Sequence, residues 1–163
     1  MANEVSFDIS STVDLQEVDN AVQQVTKEIQ QRFDFKGSAC RVTRDEQGLL
    51  LYADDAYKLK AVVELLESKL VRRKVSLKAL TYEVPEPAAK GTVRQRATLQ
   101  QGIPADKAKE ITKVIRTLGL KVATQIQDDQ IRVSAKSKDD LQAVIQALRS
   151  RDFGIDLQFG NYR

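Results

Sequence analysis

The sequence switches between two hydrophobic periodicities, and it does so in the same order in each half. Stretches with alternating apolar residues, typical of strands, and stretches with an apolar residue every three or four positions, typical of helices, follow one another as β-α-β-β-α-β, twice. Between the two runs, residues 85–91 hold two prolines and a glycine, which interrupt both patterns. We therefore predict a first domain over residues 1–84, a linker over 85–91 and a second domain over 92–163.

This order of elements predicts the architecture of each domain. With right-handed crossovers, a βαββαβ chain forms a four-stranded antiparallel sheet that carries two helices on one face. We therefore predict an α+β protein of two tandem ferredoxin-like (RNP-like) domains, with Asp14 and Ser137 as the N-caps of a helix in each half. In such a sheet the first and third strands are central neighbours, and the face without helices is open.

The composition excludes several kinds of catalytic and metal site. The sequence contains no histidine and one cysteine, Cys40, and it lacks a phosphate-binding glycine loop. We expect no catalytic residue, metal or cofactor, and a Mg²⁺-dependent nucleotide enzyme is the less favoured alternative. No segment approaches the ~20 apolar residues of a membrane helix, and the N-terminus lacks a signal-peptide pattern. We therefore expect a cytoplasmic protein without membrane contact.

Charge is distributed unevenly along the chain. Residues 90–163 contain 14 Lys and Arg against 8 Asp and Glu, a net charge of +6, whereas residues 1–89 contain 12 against 15, a net charge of −3. A basic domain predicts a polyanionic partner. Charges scattered over a solvated surface are the alternative explanation.

The basic residues of the second half are predicted to meet on the open face of its sheet. Strand alternation directs one set of cations away from the helices on the first and third strands, and these strands are neighbours. The candidate nucleotide- or nucleic-acid-binding residues are Arg94, Arg96, Lys121, Arg132, Lys136 and Tyr162. The cations suit phosphate groups, and Tyr162 is the aromatic residue expected to be available for base stacking. A solvated face and a surface for an acidic protein partner are the alternatives.

A pair of aromatic residues marks the end of the first predicted helix. In Phe33-Asp34-Phe35-Lys36-Gly37, the two rings either fill the corner between the helix and the next strand or stand around a bound base. We favour packing, which predicts that Phe33→Ala costs about 3–5 kcal/mol as the truncation of a buried aromatic side chain. The alternative is a ligand clamp.

Several motifs are similar to those of the YajQ family of bacterial nucleotide-binding proteins. They are Ser6-Phe7-Asp8-Ile9-Ser10, Val13-Asp14, Arg32-Phe33-Asp34-Phe35, Gln101-Gly102-Ile103, Leu120-Lys121-Val122, Gln125-Ile126-Gln127, Ile131-Arg132-Val133, Lys136-Ser137-Lys138-Asp139-Asp140-Leu141-Gln142 and Leu157-Gln158-Phe159. The resemblance spans nearly the whole chain and implies two domains of ferredoxin-like or RNP-like topology. It also implies cytosolic binding of nucleotides or RNA and, for some members, sensing of cyclic di-GMP with effects on transcription. It assigns no catalytic residue.

The chain departs from the family pattern at three places. Asp128 and Ala135 stand where glycines are expected, and the chain ends Asn161-Tyr162-Arg163 where Asn-Phe-Arg-Asp is expected. The turn that follows Gln127 is therefore open to a different geometry. We predict a non-enzymatic nucleotide- or nucleic-acid-binding protein, and the resemblance implies that a cyclic di-GMP-responsive regulator is one form of this function. The alternative is a protein–protein interaction module that uses its basic sheet face on an acidic partner. The sequence leaves open the oligomeric state, whether strands are exchanged between the two domains, and the choice among nucleotide, cyclic dinucleotide and RNA.

Overall fold

The computed structural model describes residues 4–163, which contain four α-helices and nine β-strands. The helices are α1 (Leu15–Gln31), α2 (Ala56–Arg72), α3 (Ala105–Thr117) and α4 (Lys138–Arg149). The strands are β1 (Val5–Ser10), β2 (Arg41–Asp45), β3 (Gly48–Ala53), β4 (Leu80–Tyr82), β5 (Glu86–Pro87), β6 (Val93–Leu99), β7 (Val122–Gln127), β8 (Gln130–Ala135) and β9 (Gln158–Gly160). All pairings between these strands are antiparallel, so the predicted α+β class is confirmed.

The chain forms two compact units, and their boundaries differ from the predicted ones. The continuous unit is Val13–Leu99, and the split unit combines residues 4–12 with Gln100–Arg163. The prediction of sequential domains over 1–84 and 92–163 is therefore wrong. The predicted linker lies inside the continuous unit, where β5 pairs with β6.

The split unit has a four-stranded sheet in the order β7-β8-β1-β9. The first strand of the chain lies in its centre, where Phe7 is opposite Val133 of β8 and Ile9 is opposite Phe159 of β9. Both Phe7 and Ile9 are completely buried, and they join a core formed with the apolar sides of α3 and α4. β1 is thus part of this core although it is more than 90 residues away in sequence from α3.

The continuous unit has a sheet in the order β2-β3-β6-β4, with α1 and α2 contributing to its core. Its central strand β6 comes last in the unit, and Ala97 of this strand is opposite Leu49 of β3. β1, the first strand of the predicted first domain, therefore lies in the sheet of the split unit. β6, the first strand of the predicted second domain, lies in the sheet of the continuous unit. The alternating pattern of β1 and β6 suits a central strand in either sheet, and it specifies the buried face rather than the partner strand.

Both predicted helix N-caps are confirmed. The Asp14 carboxylate accepts hydrogen bonds from the main-chain N–H groups of Gln16 and Glu17, and the Ser137 hydroxyl accepts one from Asp140 N–H.

Asp128 adopts a φ of 55° between β7 and β8, the left-handed conformation for which glycine was expected. Within the described residues, no helix has the length and apolar character that a membrane crossing requires.

Candidate functional site

The predicted basic face is divided between two sheets. Arg94 and Arg96 lie on β6 of the continuous unit, whereas Arg132 lies on β8 of the split unit and Lys136 follows that strand. The prediction that the four side chains share one sheet is therefore wrong. It assumed that β6 pairs with β8, but β1 occupies that position.

Both arginines on β6 have carboxylate partners within the continuous unit. Arg94 Nε lies 2.7 Å from Glu86 Oε1, and Arg96 Nη1 lies 2.6 Å from Asp45 Oδ1. The hydrogen bond from Arg96 holds the pKa of Asp45 below its usual range. These pairs compensate much of the charge that would otherwise attract phosphate.

Arg132 is also paired, with an acidic residue on the neighbouring strand. Its Nε donates to Asp8 Oδ1 at 3.0 Å, and Asn161 Nδ2 donates to Asp8 Oδ2 at 2.6 Å. The Arg132 hydrogen bond lowers the pKa of Asp8 most strongly, against the opposing effect of burial. A charge-assisted pair of this kind stabilises the contact between β1 and β8.

Tyr162 does not lie on the open face of the sheet. Its ring centroid is 6.2 Å from that of Phe7, whose side chain is buried in the core on the helix side. Asn161 adopts a φ of 56° just after β9, and main-chain hydrogen bonds join Arg163 to Ser6 beyond it. This bulge changes the alternation, so the predicted position of the Tyr162 ring is wrong.

Lys121 and Lys136 are the two predicted residues that the structure brings together. They line one cleft of the split unit, with a volume of about 470 Å³, together with the hydroxyl-bearing Ser134 and Ser137. Glu4 and Asp140 line the same cleft. The two lysines therefore face two carboxylates, and the cleft has no excess of positive charge.

The charge asymmetry between the halves disappears when residues are counted by unit. Val13–Leu99 contains 15 Lys and Arg against 13 Asp and Glu, a net charge of +2. The rest of the chain contains 11 against 10, a net charge of +1. The structure therefore gives no basic domain, and binding has to be sought in local arrangements of side chains.

One such arrangement lies where α1 ends. Phe33 and Phe35 belong to a single 3₁₀ turn, but Phe35 is 2% exposed in the core whereas Phe33 is 88% exposed. The packing prediction is thus wrong for Phe33. A side chain already in water loses little burial on truncation, so the predicted cost of 3–5 kcal/mol does not apply to Phe33→Ala.

Charged contacts fix this turn from both sides. Arg32 makes two parallel hydrogen bonds to Asp34, with Nε–Oδ1 at 3.0 Å and Nη2–Oδ2 at 2.7 Å. The Arg32 guanidinium also lies 4.8 Å from the centroid of the Phe35 ring, and Lys58 Nζ donates to the main-chain oxygen of Asp34. The backbone that carries Phe33 is therefore held in place although its ring is in solvent.

A cleft of about 430 Å³ adjoins the turn, and we call it the aromatic cleft. It is lined by Arg32, Asp34, Tyr57, Lys58, Lys60, Ala61 and Glu64. Tyr57 is 80% exposed. The exposed Tyr57 ring thus lines the cleft together with three cations and two carboxylates, a combination of stacking surface and phosphate-binding groups. The exposed Phe33 ring belongs to the adjoining turn, between the lining residues Arg32 and Asp34 in sequence.

The prediction of site residues missed Tyr57, Lys58 and Lys60. A signal for Tyr57 was available, because it lies outside the apolar stripe of α2 that begins at Leu59. An aromatic residue on the polar side of an amphipathic helix has no core to enter. Its proximity to the Phe33 turn depends on the tertiary structure.

Comparisons with known proteins agree with the family resemblance. The family model described as nucleotide-binding protein YajQ-like matches residues 5–163. The chain is 56% identical over 163 residues to a nucleotide-binding protein of Desulfitobacterium hafniense strain DSM 10664 / DCB-2, and equally to one of Bacillus cereus strain AH187. Each alignment covers 100% of both chains. The chain therefore belongs to the YajQ-like family of nucleotide-binding proteins.

Proposed function

We propose that the protein binds its nucleotide in the aromatic cleft and does not convert it chemically. The observation that carries this proposal is the Tyr57 ring, 80% exposed in a cleft with three cations, next to the turn that carries the 88% exposed Phe33 ring. The absence of histidine from the sequence supports a binding role over general acid–base catalysis.

The two kinds of group in the cleft suit the two parts of a nucleotide. A base that stacks on an aromatic ring contributes about 1–3 kcal/mol. Lys58 and Lys60 supply ammonium groups at the same cleft for phosphate oxygens. Because the Arg32–Asp34 pair and Lys58 hold the turn in place, little conformational entropy is lost when a ligand orders the Phe33 ring.

Two rings favour a ligand with more than one base, and we propose single-stranded RNA or a cyclic dinucleotide. The family resemblance adds cyclic di-GMP and a regulatory role to this proposal. The cleft with Lys121 and Lys136 is a weaker candidate, since two carboxylates balance its two cations and none of its described lining residues is aromatic. The alternative is that a protein partner packs on the exposed rings. Nucleotide titrations distinguish this alternative from nucleotide binding.

We also propose that both units are ferredoxin-like. The order β7-β8-β1-β9, with α3 after β1 and α4 after β8, supports this for the split unit. The continuous unit has the corresponding order β2-β3-β6-β4, in which β6 stands where a preceding first strand would lie.

The test is calorimetric titration of the parent protein and of Phe33→Ala and Tyr57→Ala with cyclic di-GMP, GTP and oligouridylate. We expect each substitution to weaken binding of the preferred ligand about tenfold, the loss of one stacked base. Phe33→Ala should change the free energy of unfolding by less than about 0.5 kcal/mol because its ring is exposed. Phe35→Ala should cost about 3–5 kcal/mol.

Tyr162→Ala is the matched control, because it removes a largely exposed aromatic residue from the split unit. It should leave affinity unchanged, and the bound nucleotide should be recovered intact. If Phe33→Ala and Tyr57→Ala bind every nucleotide as the parent does, the aromatic cleft is not the nucleotide site. Loss of affinity in Tyr162→Ala alone would return the site to the split unit.

A further inference from the structure

A second concentration of charge lies at the other end of α2. A cleft of about 580 Å³, which we call the basic cleft, is lined by Lys69, Arg72, Arg73 and Lys74 from the end of α2 and by Glu17 and Gln24 from α1. Four cations therefore face one carboxylate within a concave surface of the continuous unit. Along the helix axis, Lys58 and Arg72 are about 21 Å apart. This separation places the basic cleft at the opposite end of α2 from the aromatic cleft.

The cations are only partly compensated. Lys69 Nζ lies 2.8 Å from Glu28 Oε1, with the lysine side chain buried and the glutamate side chain partly exposed. Arg73 Nη1 lies 3.9 Å from Glu17 Oε2, at the long end of ion-pair distances. Within residues 4–163, the structure shows no ion pair for Arg72 or Lys74, and both are exposed.

The backbone of Lys74 is in an unusual conformation for a lysine. Its φ is 62°, and its N–H donates to Val71 O while Val75 N–H donates to Leu70 O, which completes the end of the helix. Glycine is the usual residue at this position because other side chains cost free energy there. The chain itself has Gly119 after α3 with a φ of 67°.

The helix dipole explains only part of this arrangement. Cations near a helix C-terminus are favourable in general, which accounts for Lys69 and Arg72 on α2. It does not explain a lysine where glycine would relieve strain. Lys90, Asp128 and Asn161 have similar φ values in this chain, so the charge of the Lys74 side chain, and not the strain by itself, indicates binding.

We propose that the basic cleft is a second anion site, which binds a ligand with two or more linked phosphate groups. Arg72 and Lys74, which have no ion pair among the described residues, carry two positive charges, and one singly charged anion would neutralise only one of them. Arginine offers paired N–H donors to phosphate oxygens, and lysine adds a mobile ammonium group. The phosphates belong either to a compact polyphosphate or to the backbone of a nucleic acid. This site goes beyond the nucleotide site proposed above.

The experiment titrates inorganic tripolyphosphate into the full chain and into the variants Arg72→Ala and Lys74→Gly. We expect 1:1 binding to the parent and about tenfold weaker binding to each variant, the loss of one charge-assisted hydrogen bond. Lys74→Gly is informative because it relieves the backbone at φ 62°. Its unfolding temperature should stay the same or rise while its affinity falls, which separates ligand binding from a structural role.

Lys27→Ala is the charge-matched control, since Lys27 is exposed on α1 outside the cleft. It should bind tripolyphosphate as the parent does, as should Phe33→Ala if the two sites are separate. Parallel titrations with orthophosphate and oligouridylate identify the source of the phosphates. A site for a nucleic-acid backbone should bind oligouridylate more tightly than tripolyphosphate, whereas a site for a compact polyphosphate should show the reverse order. Equal affinity of parent, Arg72→Ala and Lys74→Gly, or an equal loss in Lys27→Ala, overturns the proposal.

Discussion

Asp8 and Arg132 show how a single pair of residues couples two distant parts of the sequence. They are directly opposite each other on β1 and β8, and Asn161 contributes a further hydrogen bond to the same carboxylate. Asp8 is 8% exposed, so its charge needs these partners. The pair is therefore part of what holds residues 4–12 in the split unit.

This pair predicts an acid-sensitive contribution to stability. The Arg132 hydrogen bond holds the pKa of Asp8 below its usual range in the folded state. A depressed carboxyl pKa stabilises the fold above the unfolded pKa of about 4, and this stabilisation is lost as pH falls through the folded pKa. Asp8→Asn should therefore be less stable than the parent at pH 7, with the difference shrinking at low pH.

Urea unfolding at pH 7 and at low pH measures this difference. Asp128→Asn, in the exposed turn between β7 and β8, is the control, because among residues 4–163 no hydrogen bond or ion pair involves its carboxylate. A stability difference between Asp8→Asn and the parent that is independent of pH would contradict the assignment of the effect to ionisation of Asp8.

Strand β6 organises the continuous unit at the scale of elements. It pairs with β3 along one side and with β4 and β5 along the other. Gly48, the first residue of β3, has a φ of 133°, a conformation that favours glycine. The hairpin between β2 and β3 closes directly against the main chain of β6, because a Cβ at Gly48 would meet main-chain atoms of Ala97, Thr98 and Leu99.

We predict that Gly48→Ala destabilises the continuous unit by more than about 2 kcal/mol, because it combines backbone strain with steric overlap. The added Cβ would overlap the main-chain oxygen of Ala97 and lie 3.0 Å from Thr98 Cα. Thermal unfolding of the variant measures the effect.

Gly91→Ala is the comparison for this prediction, since Gly91 has a φ of 76° but no atom within 4 Å of an added Cβ. It should show only the cost of a left-handed backbone, about 1–2 kcal/mol. If the two alanine variants are equally stable, the close approach of the hairpin to β6 is not a constraint.

At the scale of the whole molecule, the two units have separate cores. The buried residues of one core fall between Val18 and Ala97, whereas those of the other are Phe7, Ile9 and residues from Ile103 onward. The chain therefore passes from one unit to the other twice. A cut in the predicted linker would remove β6 from the sheet of the continuous unit.

We predict that residues 13–99 fold as an isolated fragment, whereas residues 1–89 do not. The first fragment keeps a complete sheet and core, but the second lacks β6 and carries β1 without its partners β8 and β9. Circular dichroism during heating should show a cooperative transition for 13–99 only. A cooperative transition for 1–89 with none for 13–99 would support the sequential boundary instead.

The sequence by itself determined most of the local structure and the family. Helix caps at Asp14 and Ser137 act through residues two or three positions away, and hydrophobic periodicity specifies the buried side of each element. The motifs that resemble the YajQ family were sufficient to identify it, as the family match over residues 5–163 confirms. All of these signals are contained within short windows of sequence.

Only the tertiary structure decided which sheet each central strand joins and which aromatic residue of the turn is exposed. The patterns of β1 and β6 are compatible with either sheet, so their positions depend on the fit of distant side chains, such as Phe7 against α3 and α4. Phe33 and Phe35 have the same local chemistry, and the backbone of one 3₁₀ turn directs one ring inward and the other outward. The prediction of a shared basic face was wrong for the same reason. Local alternation specifies the direction of each side chain, but whether the cations lie close together depends on which strands pair, and no local pattern specifies that.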